Sequence, residues 1–176
     1  IQRGVQLELL DPKLLSFDLD RLGKALNAKA DQQFSYLGLQ TLYDRYFLHS
    51  NDIRFQLPQT FFMRVAMGLA IAATDKERYS IAFYPLLSSF DFMSSTPTLF
   101  NSGTLRSQLS SCFLTTVPDD LKGIYDAIRD NALLSKFAGG LGNDWTSVRA
   151  MKSHIKGTNG QSQGIVPFLK VSNDTA

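Results

Sequence analysis

Strand, helix, strand, loop, helix is the order of patterns between Gln108 and Val171, and it constrains the fold more than any other feature of the chain. Gln108 to Val117 and Trp145 to Met151 read as strands, the first rich in Thr, Ser and aromatic residues. Between them Pro118-Asp119-Asp120 makes a turn and a helix start. Leu121, Ile124, Tyr125, Ile128 and Ala132 then mark an amphipathic helix to about Lys136, which Ala138-Gly139-Gly140-Leu141-Gly142 ends. Lys152 to Gly164 is a polar, Gly-rich loop, and Ile165 to Val171 opens a last helix with Pro167 in its first turn. A βαβα order implies a parallel sheet with helices outside it, so the expected fold class is α/β.

The first half has a different character. Asp11 and Pro12 open a short helix as N-cap and first residue. Part of Phe34 to Phe47 is predicted helical, with a turn at His49-Ser50-Asn51-Asp52. Phe61, Val65 and Leu69 repeat every four residues and predict a buried helix from about Thr60 to Ala73. Thr74-Asp75 caps a further helix from Lys76, with Glu77 in its first turn and Pro85 predicted to kink it. Phe90 to Phe100 reads as a strand. The expected organisation is a mainly helical region, 1–89, followed by an α/β region, 90–176.

Composition narrows the function classes. A chain of 176 residues, 44% hydrophobic, can bury a real core. Its net charge of +2, with basic residues spread along the chain, argues against nucleic acid as a partner. No apolar run is long enough to span a membrane. Ile1-Gln2-Arg3-Gly4 does not resemble a natural start, and no signal peptide is visible. The single cysteine, Cys112, forms no internal disulfide, which points to a reducing, cytoplasmic compartment. His49 and His154 lie far from it in sequence, so no metal site is expected.

Each motif carries two readings. Cys112, in Ser110-Ser111-Cys112-Phe113, is either a buried structural thiol or a reactive one presented by a strand. Thr96-Pro97-Thr98 is either a turn or a phosphate or ribose contact through Thr98. Gly139-Gly140-Leu141-Gly142 is either a helix C-cap or a cradle for a ligand, although it has neither the Lys-Ser/Thr of a P-loop nor a dinucleotide fingerprint. The stretch from Arg149 to Gly164 is either a solvated loop or a flexible triphosphate site, with Arg149, Lys152 and Lys156 as cations and Asp119 accepting from ribose hydroxyls.

The order of the motifs is more specific than any one of them. Glu77-Arg78-Tyr79-Ser80, Phe90 through Thr104, Leu109 through Leu114, Gly139-Gly140-Leu141-Gly142, Val148-Arg149-Ala150 and Gly164 through Lys170 follow one another at suitable spacing. The chain resembles the large, catalytic subunit of ribonucleotide reductase, most closely the aerobic class I type. The likeness is good over 34–176 and loose over Ile1 to Gln33. It implies a helical region followed by the first strands and helices of a ten-stranded α/β barrel, without the ATP-cone.

The resemblance also implies roles. Cys112 matches the thiol that donates electrons and ends in a disulfide with a second cysteine later in the chain. Thr98, Ser111, Cys112, Gly139 and Gly140 match substrate-contacting positions. Asp119, Arg149, Ile155 and Lys156 match the specificity site, where a deoxynucleoside triphosphate or ATP binds with Mg, and Lys152 to Gly164 matches its first loop. Helices 121–136 and 165–176 resemble those that pair across a twofold dimer. The implied partners are a ribonucleoside diphosphate substrate, the remainder of the catalytic chain, thioredoxin or glutaredoxin, and a small metal-containing radical-generating subunit. Adenosylcobalamin replaces that subunit in class II. The thiyl-bearing cysteine and second redox cysteine are not in this sequence, so the chain is expected to be a fragment, inactive alone. The alternatives are a nucleotide-binding regulatory module without catalysis, and a helical interaction protein in which Cys112 is simply buried.

Overall fold

The computed structural model describes residues 1–136 and 139–175. It forms two compact units, Ile1–Leu109 and Ser110–Ala176. The stretch 90–109, expected in the α/β region, belongs to the first unit.

Eight helices and four short strands are described, with 3-10 turns at Pro12–Ser16 and Ala28–Gln33. In the first unit α1 is Gln2–Gln6, α2 Leu19–Lys24 and α3 Tyr36–Arg45. A tight hairpin joins β1 (His49–Ser50) to β2 (Ile53–Arg54). Its two turn residues, Asn51 and Asp52, hold φ of 49° and 60°, as a two-residue hairpin of this hand requires. α4 (Pro58–Ala70) is the centre of the unit, buried on nearly every face. A helix apolar all round belongs in an interior. Phe61 and Phe62 are fully buried, each contributing about 1.5–3 kcal/mol. Leu69, expected in the buried stripe, is exposed. Helical residues advance about 100° each, so a strict four-residue repeat drifts off one face within two turns.

α5 (Lys76–Ser88) packs along α4 and continues through Pro85. Asp75 accepts from the backbone N–H of Arg78 and caps it, as its position suggested. The predicted strand at Phe90 to Phe100 is instead loop followed by α6 (Thr96–Asn101). Pro97 sits in the first turn of α6, where its missing N–H costs nothing. The end of α6 docks on α4. Arg64, fully buried, donates to the carbonyl oxygens of Leu99 (2.9 Å), Phe100 (3.3 Å) and Ser102 (2.6 Å). A cation at the carbonyl end of a helix satisfies orphan acceptors and opposes the dipole. Burial pulls the Arg64 pKa down to about 10, which leaves it charged at neutral pH. Ser102 Oγ donates to Val65 O at 2.7 Å, and Gly103 adopts a φ of 77°.

In the second unit β3 (Cys112–Thr116) leads to α7 (Leu121–Ser135), β4 (Gly140–Asp144) and α8 (Val166–Thr175). β3 and β4 pair in parallel, Cys112 opposite Gly140 and Thr116 opposite Asp144. The βαβ order and parallel pairing agree with the expected start of an α/β barrel. The second strand is displaced, however. It lies at Gly140–Asp144 rather than Trp145 to Met151, so the Gly-rich run is strand rather than helix cap; Ala138 lies outside the described residues. Small residues here permit close approach, since a Cβ on Gly139 would collide with the Phe113 ring. Trp145 and Val148, taken as strand, instead pack with Phe168 on a small core of Val117, Ile124, Ala127 and Ile128. Leu121, Tyr125 and Ala132, expected on the buried face of α7, are exposed.

Candidate functional site

Ser111, Cys112, Gly139 and Gly140 come together at the start of β3 and β4. Gly140 N donates to Ser111 O at 2.7 Å, and Cys112 lies directly across from Gly140. Asn143 bonds to α7 through its side chain, so Leu141 and Asn143 face that helix. Strand alternation then turns Gly140, Gly142, Cys112 and Leu114 to the opposite face. Cys112 is exposed there, and Leu114 is 86% exposed. Within the described residues the thiol is thus exposed rather than packed in a core. A Cβ on Gly140 would sit 3.5 Å from Cys112 Sγ, so the glycine leaves that side of the sulfur open. Thr98 belongs to the first unit. It is half-buried on α6, and its Oγ1 donates to Leu109 O at 3.3 Å.

A second constellation forms around the N-terminus of α7. Asp119, Asp120, Leu121, Ile124, Val148, Arg149, Ile155, Ser162 and Phe168 line an open hollow of about 330 Å³. Three of the four residues expected at an effector site, Asp119, Arg149 and Ile155, thus share one hollow; Lys156 follows Ile155 and is exposed. Arg149 is held firmly. Its backbone N–H donates to Asp119 Oδ1 at 3.0 Å and its Nε to both carboxylate oxygens at 2.9 Å. These hydrogen bonds keep the Asp119 carboxyl below the usual carboxylate range and push the Arg149 guanidinium upward. A carboxylate offers about four acceptor positions, and Arg149 takes three, so Asp119 retains capacity for a ligand hydroxyl.

The stretch 152–164 is more ordered than an open loop. Lys152 N donates to Ser162 O and Ser162 N to Ser153 O, both at 2.8 Å, while His154 and Gln161 form an antiparallel bridge. Gly157 and Gly164 take φ of 81° and 73° at its bends. This hairpin carries Ile155 and Ser162 to the hollow. Val148, Ser162 and Phe168 were not expected as site residues, because only the folded hairpin and the placing of α8 bring them to the hollow. Among the described residues no three His, Cys, Asp or Glu side chains gather as a metal site, and no helix is long and apolar enough to cross a membrane.

Comparison with known proteins follows the same division. Residues 32–107 match the profile described as ribonucleotide reductase, all-alpha domain, and residues 110–176 the one described as ribonucleotide reductase, barrel domain. The chain is 60% identical over 168 residues to the ribonucleoside-diphosphate reductase subunit alpha of Chlamydia muridarum, covering 95% of this chain and 16% of that protein. It is 45% identical over 161 residues to the subunit alpha of Helicobacter pylori, covering 91% and 20%. It is 42% identical over 178 residues to the large subunit of Plasmodium falciparum, covering 99% and 22%. The chain therefore spans a small part of the length of these relatives.

Proposed function

Since this chain belongs to the ribonucleotide reductase large-subunit family, we propose that it forms part of the catalytic subunit of a ribonucleoside-diphosphate reductase. In that reading it contributes one reducing thiol and the effector site. The observation that carries the proposal is Cys112, exposed on the face of β3 turned away from α7 and bordered by Gly140. A thiol pair reduces a ribonucleotide with balanced atoms. Two S–H groups give two protons and two electrons, so that one hydrogen ends on C2′ and the other leaves with the 2′ hydroxyl as water while a disulfide closes. Cys112 is one member of that pair, the other lying elsewhere in the subunit.

Ser111, Gly139 and Gly140 hold the diphosphate substrate in this reading, through a hydroxyl and backbone groups. Asp119, Arg149, Ile155 and Lys156 receive a deoxynucleoside triphosphate or ATP with its Mg, Asp119 accepting from the sugar and the cations facing phosphate. The radical that starts the reaction comes from a metal-containing partner subunit, or from adenosylcobalamin in a class II enzyme. Exposed Leu121, Tyr125 and Leu133 on α7 and Val166 and Leu169 on α8 suit a twofold dimer through these helices. Thioredoxin or glutaredoxin re-reduces the disulfide, in the cytoplasm. The test is Cys112→Ser in the complete subunit with its radical source. Deoxynucleotide formation is lost while effector affinity is kept; unchanged turnover overturns the proposal. Loss of nothing but effector binding on Arg149→Ala, with Cys112 dispensable, favours a regulatory nucleotide-binding module instead.

A further inference from the structure

The first unit holds an open cavity of about 500 Å³ that the reactions above do not use. Leu10, Leu22, Met63 and Met67, all buried, line it. The volume is that of a small-molecule site, and methionine side chains adapt to the shape of an apolar guest. Phe55 is the one aromatic lining residue among the described residues, and the Arg3 guanidinium already lies over its ring at 5.4 Å. The lining thus offers aliphatic surface rather than a free ring on which a base would stack.

The charge of the lining is one-sided. Arg3 and Arg64 belong to it, and no acidic residue does. Arg64 is fully buried, with its two terminal nitrogens bonded to the carbonyl oxygens of Leu99, Phe100 and Ser102. Its Nε has no hydrogen-bond partner. Neither arginine forms an ion pair among the described residues. Gln56 Oε1 accepts from Leu48 N at 3.0 Å, which leaves its NH2 as a further donor. The Thr60 hydroxyl is spent on the backbone of Leu57. A buried charge ordinarily has a counter-charge, and an unpaired buried donor is costly. An occupant with an anionic acceptor and an aliphatic body answers both the cations and the leucine and methionine surface.

We propose that this cavity binds a medium-chain aliphatic carboxylate, with its tail on the leucines and methionines and its carboxylate toward the arginines. The site stands apart from the reductase reading. Octanoate is titrated by calorimetry into the complete subunit, with octanol as its neutral counterpart. The expected result is one-to-one binding with Kd below about 1 mM, and octanol weaker by about tenfold or more, the effect of losing a charge-assisted hydrogen bond. Gly23 also lines the cavity, and a Cβ there meets nothing within 4 Å. Gly23→Leu adds bulk at that position and weakens octanoate about tenfold or more. Arg3→Glu reverses an exposed cation and does the same with the unfolding midpoint unchanged. Absence of octanoate binding at 1 mM, octanol binding as tight as octanoate, or octanoate affinity that survives both substitutions overturns the proposal. A second measurement needs no variant. The methyl signals of Met63 and Met67 shift in carbon NMR when octanoate is added; signals that stay in place overturn the proposal as well. A subunit that binds octanoate in this way yet reduces no ribonucleotide refutes the reductase reading alone.

Discussion

Gly68→Ala tests the packing that shapes the first unit. A Cβ at position 68 would land on Gly103 N and Ser102 Oγ and come within 2.6 Å of the Ser102 carbonyl carbon. Two of these three are backbone atoms of a turn, so the turn after α6 must retreat from α4. Two hydrogen bonds lie in its path, Ser102 Oγ to Val65 O at 2.7 Å and Arg64 to Ser102 O at 2.6 Å. A neutral bond contributes about 0.5–1.5 kcal/mol and one from a charged group about 1.5–3 kcal/mol. Alanine regains about 1 kcal/mol of helix propensity over glycine. The expected net loss is about 2 kcal/mol, a fall in urea midpoint of roughly 1 M. Gly23→Ala in α2 is the control, since a Cβ there meets nothing within 4 Å. It should hold or raise stability by about 0.5–1 kcal/mol. Urea unfolding followed by far-ultraviolet circular dichroism measures both. A midpoint for Gly68→Ala equal to or above that for Gly23→Ala refutes the argument.

Three further outcomes follow from the second unit. Gly139→Ala forces a methyl into the Phe113 ring and destabilises the unit, whereas Gly140→Ala meets Cys112 Sγ at an ordinary 3.5 Å and leaves the unfolding midpoint nearly unchanged; Trp145 fluorescence during denaturation separates the two. The Asp119 carboxyl, followed by carbon NMR, titrates below the ordinary value, and Arg149→Ala returns it upward. Because its folded pKa is depressed, the contribution of the Asp119–Arg149 pair is complete above the unfolded carboxylate range and is lost as pH falls through the folded value. Asn131→Leu removes both amide hydrogen bonds to the half-buried Asn143 and costs about 0.5–1.5 kcal/mol in denaturant unfolding.

What could be read in advance depended on how local the cause was. Asp75 and Asp120 announce their helices because a cap acts over three residues. The parallel βαβ order of the second unit was legible for a similar reason, since α7 is a clear helix flanked by strand-like runs. The strand positions were not. Gly140-Leu141-Gly142 lacks strand propensity and becomes a strand because β3 supplies its partner in space. Phe90 to Phe100 is rich in Ser, Thr and aromatic residues like a strand, yet Thr96 to Asn101 coils because a buried arginine, distant in sequence, receives its carbonyl end. The candidate site divides in the same way. Asp119, Arg149 and Ile155 were found through the resemblance, and the fold gathers them in one hollow. Ser162 and Phe168 gain meaning only once the hairpin and α8 are placed.

The most direct test of the reductase reading is the oxidation state of Cys112 after one turnover. The complete subunit is pre-reduced, mixed with its radical source, a ribonucleoside diphosphate and effector, and given no external reductant. Remaining thiols are then alkylated and the peptides analysed by mass spectrometry. The account predicts that Cys112 is recovered in a disulfide with another cysteine of the subunit, in proportion to the deoxynucleotide formed. Deoxynucleotide formed while Cys112 stays fully alkylatable would contradict it.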